Sequence, residues 1–271
     1  MIRRVTAGKL PALADAFWDC AMDLTRSGYP TYTDGVKTRA DFDAYLSRAC
    51  QADWGEVLVY EHGGAVCGLI AVDIVDDAYV SLPVCLCRTH SQEMLAELLR
   101  RLSGEHAGKT LWFGFAPENA AYLGFAEEHG FAVLEESVNW IMPMNGTCPP
   151  APGVCAVTAD DPAFRRFWRD PDMYWTAERI AANPAGWTLL VHERGAAAML
   201  DSGDTQEIFG FEYADGFDET AFFALMQGCL HIAKVKGAAH MNYFASPEES
   251  AVMAALGFRR VSGYLCYERK L

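Results

Sequence analysis

Apolar and polar residues recur along this chain with two periods, and these periods appear in the same order in both halves. In the first half, residues 2–5 read as a short strand, and residues 10–24 and 39–50 as amphipathic helices. Residues 57–61 and 66–73 alternate at period two around His62-Gly63-Gly64, which predicts a hairpin, and residues 79–87 predict another strand. Met94, Leu95, Leu98, Leu99 and Leu102 fall on one helical face, so a helix is placed at 91–102. A strand at 110–115, a helix at 118–129 and an extended segment at 131–142 complete this half.

The second half repeats the order in shorter form. A strand at 154–157 precedes helices at 162–169 and 176–182, a hairpin over 188–200 and a strand at 208–213. A long helix at 219–236, a strand at 239–244, a helix at 248–256 and a last strand at 260–267 follow. Between the halves, residues 145–153 (Asn-Gly-Thr-Cys-Pro-Pro-Ala-Pro-Gly) hold three prolines and two glycines, a composition that interrupts regular structure and predicts a connector. A chain of 271 residues can fill two ordinary cores. The expected domains are therefore 1–145 and a shorter 153–271.

The closing units of the halves align directly. Leu111-Trp-Phe-Gly-Phe-Ala-Pro-Glu118 stands against Met241-Asn-Tyr-Phe-Ala-Ser-Pro-Glu248, and Gly130-Phe131 against Gly257-Phe258. Proline suits a first helical turn, Ser246 with Glu249 can form a capping box, and glycine before an apolar residue suits a left-handed helix stop. At these residues the chain resembles the GNAT superfamily of N-acetyltransferases, whose late strand-helix-strand unit reads Asn-x-x-Ala through a short helix to Gly-Phe. Pro117-Glu118-Asn119 through Gly130-Phe131 carries the resemblance, with Pro247 through Phe258 a looser copy.

The resemblance implies an α/β fold of two tandem GNAT-like domains, each a mixed central sheet flanked by helices. The fourth and fifth strands of such a sheet splay and leave backbone groups for the pantetheine arm of acetyl-CoA. It implies acetyl transfer to a small-molecule or amino-group acceptor, with Leu86, Cys87, Arg88, His90, Ser91 and Asn119 toward the cofactor. Tyr122, Glu207 and Glu212 are the candidate catalytic groups. The aromatic clusters Tyr29-Pro-Thr-Tyr32 and Met173-Tyr174-Trp175 stand where an acceptor pocket or a hydrophobic seal would form.

Two departures keep a second reading open. The family's phosphate loop, Gln/Arg-x-x-Gly-x-Gly/Ala, is here Arg88-Thr-His-Ser-Gln-Glu93, with Ser91 and Glu93 replacing the small residues; the second half offers only Gly216 beside Asp215, Asp218 and Glu219. The family's tyrosine seven residues after the asparagine falls on Ala126, and on Met253 in the second half. The alternative is a GNAT-fold binding or regulatory protein without turnover. The first half, which keeps Asn119 and Arg88, is the expected catalytic one.

Composition narrows the partners. Lysine and arginine number 22 against 36 acids, a net charge of -14 that argues against nucleic acid. No apolar run reaches the roughly 18 residues of a membrane span, and the start lacks an export signal, so no membrane partner and a cytoplasmic location are expected. Nine irregularly spaced cysteines then read as free thiols, and no Cys/His set suggests a metal.

Overall fold

The computed structural model describes residues 1–169 and 173–271. In chain order the first elements are β1 (Ile2–Arg4), α1 (Leu10–Ala21), α2 (Arg39–Gln51), β2 (Gly55–His62), β3 (Ala65–Ile74) and β4 (Tyr79–Cys87). Next come α3 (Ser91–Glu105), β5 (Thr110–Phe115), α4 (Ala120–Glu128) and β6 (Ala132–Pro143). After the connector follow β7 (Cys155–Val157), α5 (Pro162–Arg165), α6 (Ala177–Ala182), β8 (Trp187–His192), β9 (Gly195–Ser202) and β10 (Thr205–Tyr213). The chain ends with α7 (Glu219–Val235), β11 (His240–Ala245), α8 (Pro247–Met253) and β12 (Arg259–Lys270).

These elements fall where hydrophobic periodicity predicts them, with helices α1, α4, α5 and α8 shorter than expected. Helix α1 stops at Ala21 rather than 24, because the Asp23 carboxylate accepts from the Thr25 amide and bends the chain into a turn. Helix α5 is a single turn. The expected Ser246/Glu249 capping box opens α8, and Thr38 with Asp41 makes another on α2.

The chain forms two compact units, Met1–Ser137 with Ser262–Leu271, and Val138–Val261. They do not change over at residues 145–153, as the linear division into 1–145 and 153–271 expects. The changes occur inside β6 and inside β12, so each half of the sequence gives its closing strand to the other unit. In unit 1 the strand order is β1-β2-β3-β4-β5-β12, and in unit 2 it is β7-β8-β9-β10-β11-β6. Both orders have one parallel pair, β4 with β5 and β10 with β11, among antiparallel neighbours. Periodicity predicts that β6 and β12 are strands. It cannot predict their partners, since either closing strand has the length and pattern to pair with β5 or β11.

Central strands are covered on both faces, so their cores read as nearly continuous apolar runs. In unit 1, Val57, Val59, Leu69 and Ala71 pack under α1 and α2, while Leu58, Ile70 and Val72 face α3 and α4. In unit 2, Leu189, Ala196 and Ala198 lie with α5 and α6, and Leu190, Ala197 and Met199 with α7 and α8. Among the described residues, no helix is long and apolar enough to cross a membrane. The cysteines are free thiols.

Strand β12 is integral to unit 1. It pairs with β5 from Leu265↔Phe115 to Lys270↔Thr110, and the Tyr267 ring stacks on Phe115 at 5.5 Å. Deleting residues 262–271 should therefore remove the unit 1 unfolding transition or lower its stability by several kcal/mol, at roughly 1.5–3 kcal/mol for each large apolar side chain lost. Urea unfolding followed by hydrogen exchange at β5 amides would measure it. Unchanged β5 protection would refute the assignment.

Candidate active site

Each parallel pair separates soon after it forms. In unit 1 the β4/β5 ladder consists of Tyr79↔Thr110, Val80↔Leu111 and Ser81↔Trp112. Pro83 follows, where β4 slips in register against β3 between Ala71↔Val84 and Asp73↔Ser81, an irregularity that bends the strand. This proline is a sequence signal for the divergence, and one that element prediction alone passes over. In unit 2 the β10/β11 ladder runs from Thr205↔His240 to Ile208↔Tyr243. There a bulge against β9, between Ile208 and Gly210, turns the strand and leaves Phe209 partly exposed.

Of the expected cofactor residues of unit 1, Asn119, Leu86 and Cys87 lie at its notch, and their polar groups bond to the chain itself. Asn119 is fully buried; its Nδ2 donates to the Ser27 carbonyl at 2.9 Å, and its Oδ1 caps α4 by accepting from the Tyr122 amide. The Tyr122 hydroxyl donates to the Cys85 carbonyl at 3.0 Å, and burial holds it well above the usual tyrosine range. It is a fully protonated strut between α4 and β4. Leu86 pairs with Leu69 and bridges to Ser27, and the Cys87 amide donates to the Arg26 carbonyl.

Arg88 and His90 point to other partners. Arg88 lies over the Phe17 ring at 4.9 Å, donates to the Ala16 carbonyl and pairs with Asp19. His90, in the left-handed region at φ 65°, stacks on His62 at 3.8 Å and lies 3.5 Å from Glu93. Ser91 begins α3, and the Glu93 carboxylate accepts from its own backbone N–H, which holds it below the usual range. The helix end expected to meet phosphate is thus met by a carboxylate of the same helix.

The aromatic candidates divide. Tyr32 is buried against Trp18 and Phe42, a seal over the sheet. Tyr29 lies edge-on to Tyr264 at 5.1 Å. In unit 2, Trp175 contacts Tyr174, Trp187 and Phe209, with Arg179 over the Tyr174 ring at 4.0 Å. Glu207 lies within the β10/β11 ladder opposite Asn242, whereas Glu212 lies beyond its end. Among the described residues, Glu56, Glu105 and His106 come close enough to share a cation, but Arg101 bonds both carboxylates.

Unit 2 contains two features at residues that the sequence marks only as a poor phosphate loop and as a capping box. The first is a cavity of about 430 Å³ at the β10-to-α7 loop, lined by Arg166 and Arg194, by the acidic residues Glu193, Asp215, Asp218 and Glu219, and by Gly216. Gly216 has φ 83°, and Asp218 caps α7 through the Ala221 amide while pairing with Arg194 at 2.5 Å. The second is Glu249, at the third position of α8 as Tyr122 is of α4. Its carboxylate is buried and accepts from Tyr243 at 2.5 Å, Tyr213 at 3.3 Å and the Ser246 amide at 3.0 Å. Burial, with this carboxylate next, raises both tyrosines far above their ordinary range, so they remain donors.

This cluster ties α8 to β10 and β11. Replacing Glu249 by Ala strands two hydroxyls and removes the capping box, with an expected loss of about 2–4 kcal/mol. Chemical denaturation would measure it, and a loss below about 0.5 kcal/mol would show the cluster to be unimportant.

No protein-family model and no curated protein matches the chain. Solved structures do match. A GCN5-related N-acetyltransferase from Sphaerobacter thermophilus superposes with TM-score 0.65 at 13% identity, covering 100% of this chain and 95% of that one. A tandem GNAT protein from the clavulanic acid biosynthesis pathway gives 0.57 at 14%, covering 100% and 98%. A GCN5-related glucosamine N-acetyltransferase region in a fungal multi-domain GH3 beta-N-acetylglucosaminidase gives 0.62 at 9%, covering 99% of this chain and 38% of that one. The splayed parallel pair within the same strand order, present twice, and this full-length likeness lead to one conclusion: the chain has the GNAT fold of the N-acetyltransferases, in tandem.

Proposed function

We infer that the protein is an acyl-CoA-dependent N-acyltransferase, using acetyl-CoA and an amine acceptor, with its donor site in unit 2. The observation that carries this reading is the parting of β10 from β11 after Ile208↔Tyr243, beside a loop cavity bearing two arginines. The expectation that the first half is catalytic rests on Asn119 and Arg88, and both are engaged by their own chain.

Acetyl-CoA supplies an activated thioester. The protein's part is to hold the amine against the thioester carbon and to place donors at the developing oxyanion. The divergent edge of β10 supplies backbone N–H groups for that purpose. In this reading Glu212, beyond the ladder, accepts the amine proton directly or through water. Attack forms the C–N bond, the C–S bond breaks, and the CoA thiolate takes up a proton. Arg166 and Arg194 are the groups for the donor's phosphates.

A second reading, a GNAT fold that binds or regulates without transfer, is favoured by Asp218. Its carboxylate caps α7 and holds Arg194, so an incoming phosphate meets a negative charge at the helix end. Thermal-shift or calorimetric titration with acetyl-CoA tests both readings. Ligand at 100 times its dissociation constant should add about 2.7 kcal/mol to folding stability. Arg194→Ala should weaken binding by roughly tenfold and Asp218→Asn should strengthen it, one charge-assisted contact being worth about 1.5–3 kcal/mol. No binding at millimolar ligand would sink the transferase reading. Binding without CoA thiol release across an amine panel would establish the second.

A further inference from the structure

Where two parallel strands separate, the backbone groups along their facing edges lose their partners, and those that are buried must find others. On β4 of unit 1 these include the Cys85 carbonyl and the Cys87 amide, in a strand stretch buried from Val84 to Cys87. One short stretch of chain, Arg26-Ser27-Gly28, leaving a turn, meets them. The Gly28 amide donates to the Cys85 carbonyl at 2.7 Å, the Cys87 amide donates to the Arg26 carbonyl at 3.1 Å, and Ser27 bridges Leu86 in antiparallel register. The Ser27 carbonyl, facing the other way, accepts from Asn119.

The fit is close on both sides. A side-chain carbon at Gly28 would lie 3.2 Å from Cys85 Cβ and 3.4 Å from the carbonyl oxygens of Cys85 and Gly114, touching β4 and β5 at once. A methyl there makes Cys85 give slightly, and a larger side chain is driven against both strands. Tyr29 then turns onto Tyr264, whose ring covers Gly114.

A carboxylate clamp fixes the stretch from outside. Asp23 accepts from the amide and hydroxyl of Thr25 and pairs with Arg26 at 2.6 Å. Asp19 pairs with Arg26 and with Arg88, each at 3.3 Å. Arg88 is thereby tied to the carboxylate that also holds the strap.

We propose that Arg26–Gly28 is a built-in occupant of the unit 1 notch, closing that half to acyl-CoA and leaving one donor site per chain, in unit 2. Closure follows from the bonds of unit 1 alone; only the count of one site rests on the function proposed above. An acyl-CoA arm presents amide groups that need the same Cys85 carbonyl and Cys87 amide. Strap and arm therefore exclude one another.

Hydrogen-exchange mass spectrometry on the full chain, with and without millimolar acetyl-CoA, tests this. In the unsubstituted protein the Gly28 and Cys87 amides should exchange about 100-fold more slowly than the open Gly63-Gly64 turn, and acetyl-CoA should leave peptides 26–29 and 84–88 unchanged. Gly28→Val should expel the strap and speed exchange at both amides by about tenfold or more. Arg26→Ala, which loosens the clamp alone, should do so to a smaller extent. An acetyl-CoA effect on peptides 26–29 or 84–88, or wild-type exchange as fast as the turn, overturns the proposal. If Gly28→Val does not fold, unchanged rates in Arg26→Ala overturn it. Acetyl-CoA protection confined to 209–219 supports the single unit 2 site, whereas a complete lack of binding defeats the transferase reading while the two amides still decide the strap.

Discussion

Backbone hydrogen bonding at a diverging pair of parallel strands governs this molecule. The β4/β5 ladder ends after Ser81↔Trp112 and the β10/β11 ladder after Ile208↔Tyr243, and what lies beyond each end must be satisfied or left accessible to a ligand. Unit 1 satisfies it with its own chain, using glycine where space between the strands is tight, together with an asparagine and a tyrosine from the following helix. Unit 2 has a bulge, an arginine-bearing loop and a carboxylate shared by two tyrosines around the corresponding divergence. One architecture thus carries two different uses of the same opening.

Helix α4 and helix α8 show how equivalent positions acquire different roles. Each has its key group at the third residue after the cap: Tyr122 bonds a β4 carbonyl, while Glu249 gathers hydroxyls from β10 and β11. A tyrosine donor can serve a strand carbonyl directly. A carboxylate cannot, so the strands supply tyrosine donors to it instead.

Charge sets the terms for any acyl-CoA. With a net charge of -14 the chain repels a polyphosphate ligand at long range, and the attraction must come from close contacts that salt screens less than the general field. Arg194 is such a contact only to the extent that Asp218 releases it, whereas Arg88 is held by Asp19 and stacked on Phe17. Both loops thus hold an arginine in an ion pair, and the cavity at the second is also lined by Glu193, Asp215 and Glu219.

Periodicity alone located the strands and helices, because burial on one or both faces imposes spacings of two or 3.6 residues on whichever side chains fill the core. The repeated Pro-to-Gly-Phe units likewise revealed a duplicated fold, since helix starts and stops are local chemistry. Of the candidate site, the sequence singled out Asn119, Tyr122 and Cys87 but not their bonding partners, Ser27, Cys85 and Arg26. Tertiary structure decided that β12 closes unit 1 and β6 closes unit 2, that Arg26–Gly28 enters the notch, and that Glu249 meets Tyr213 and Tyr243. These are pairings between segments distant along the chain. Their specificity lies in which edge and which buried polar group remain to be satisfied once the elements have packed, and no local spacing records that.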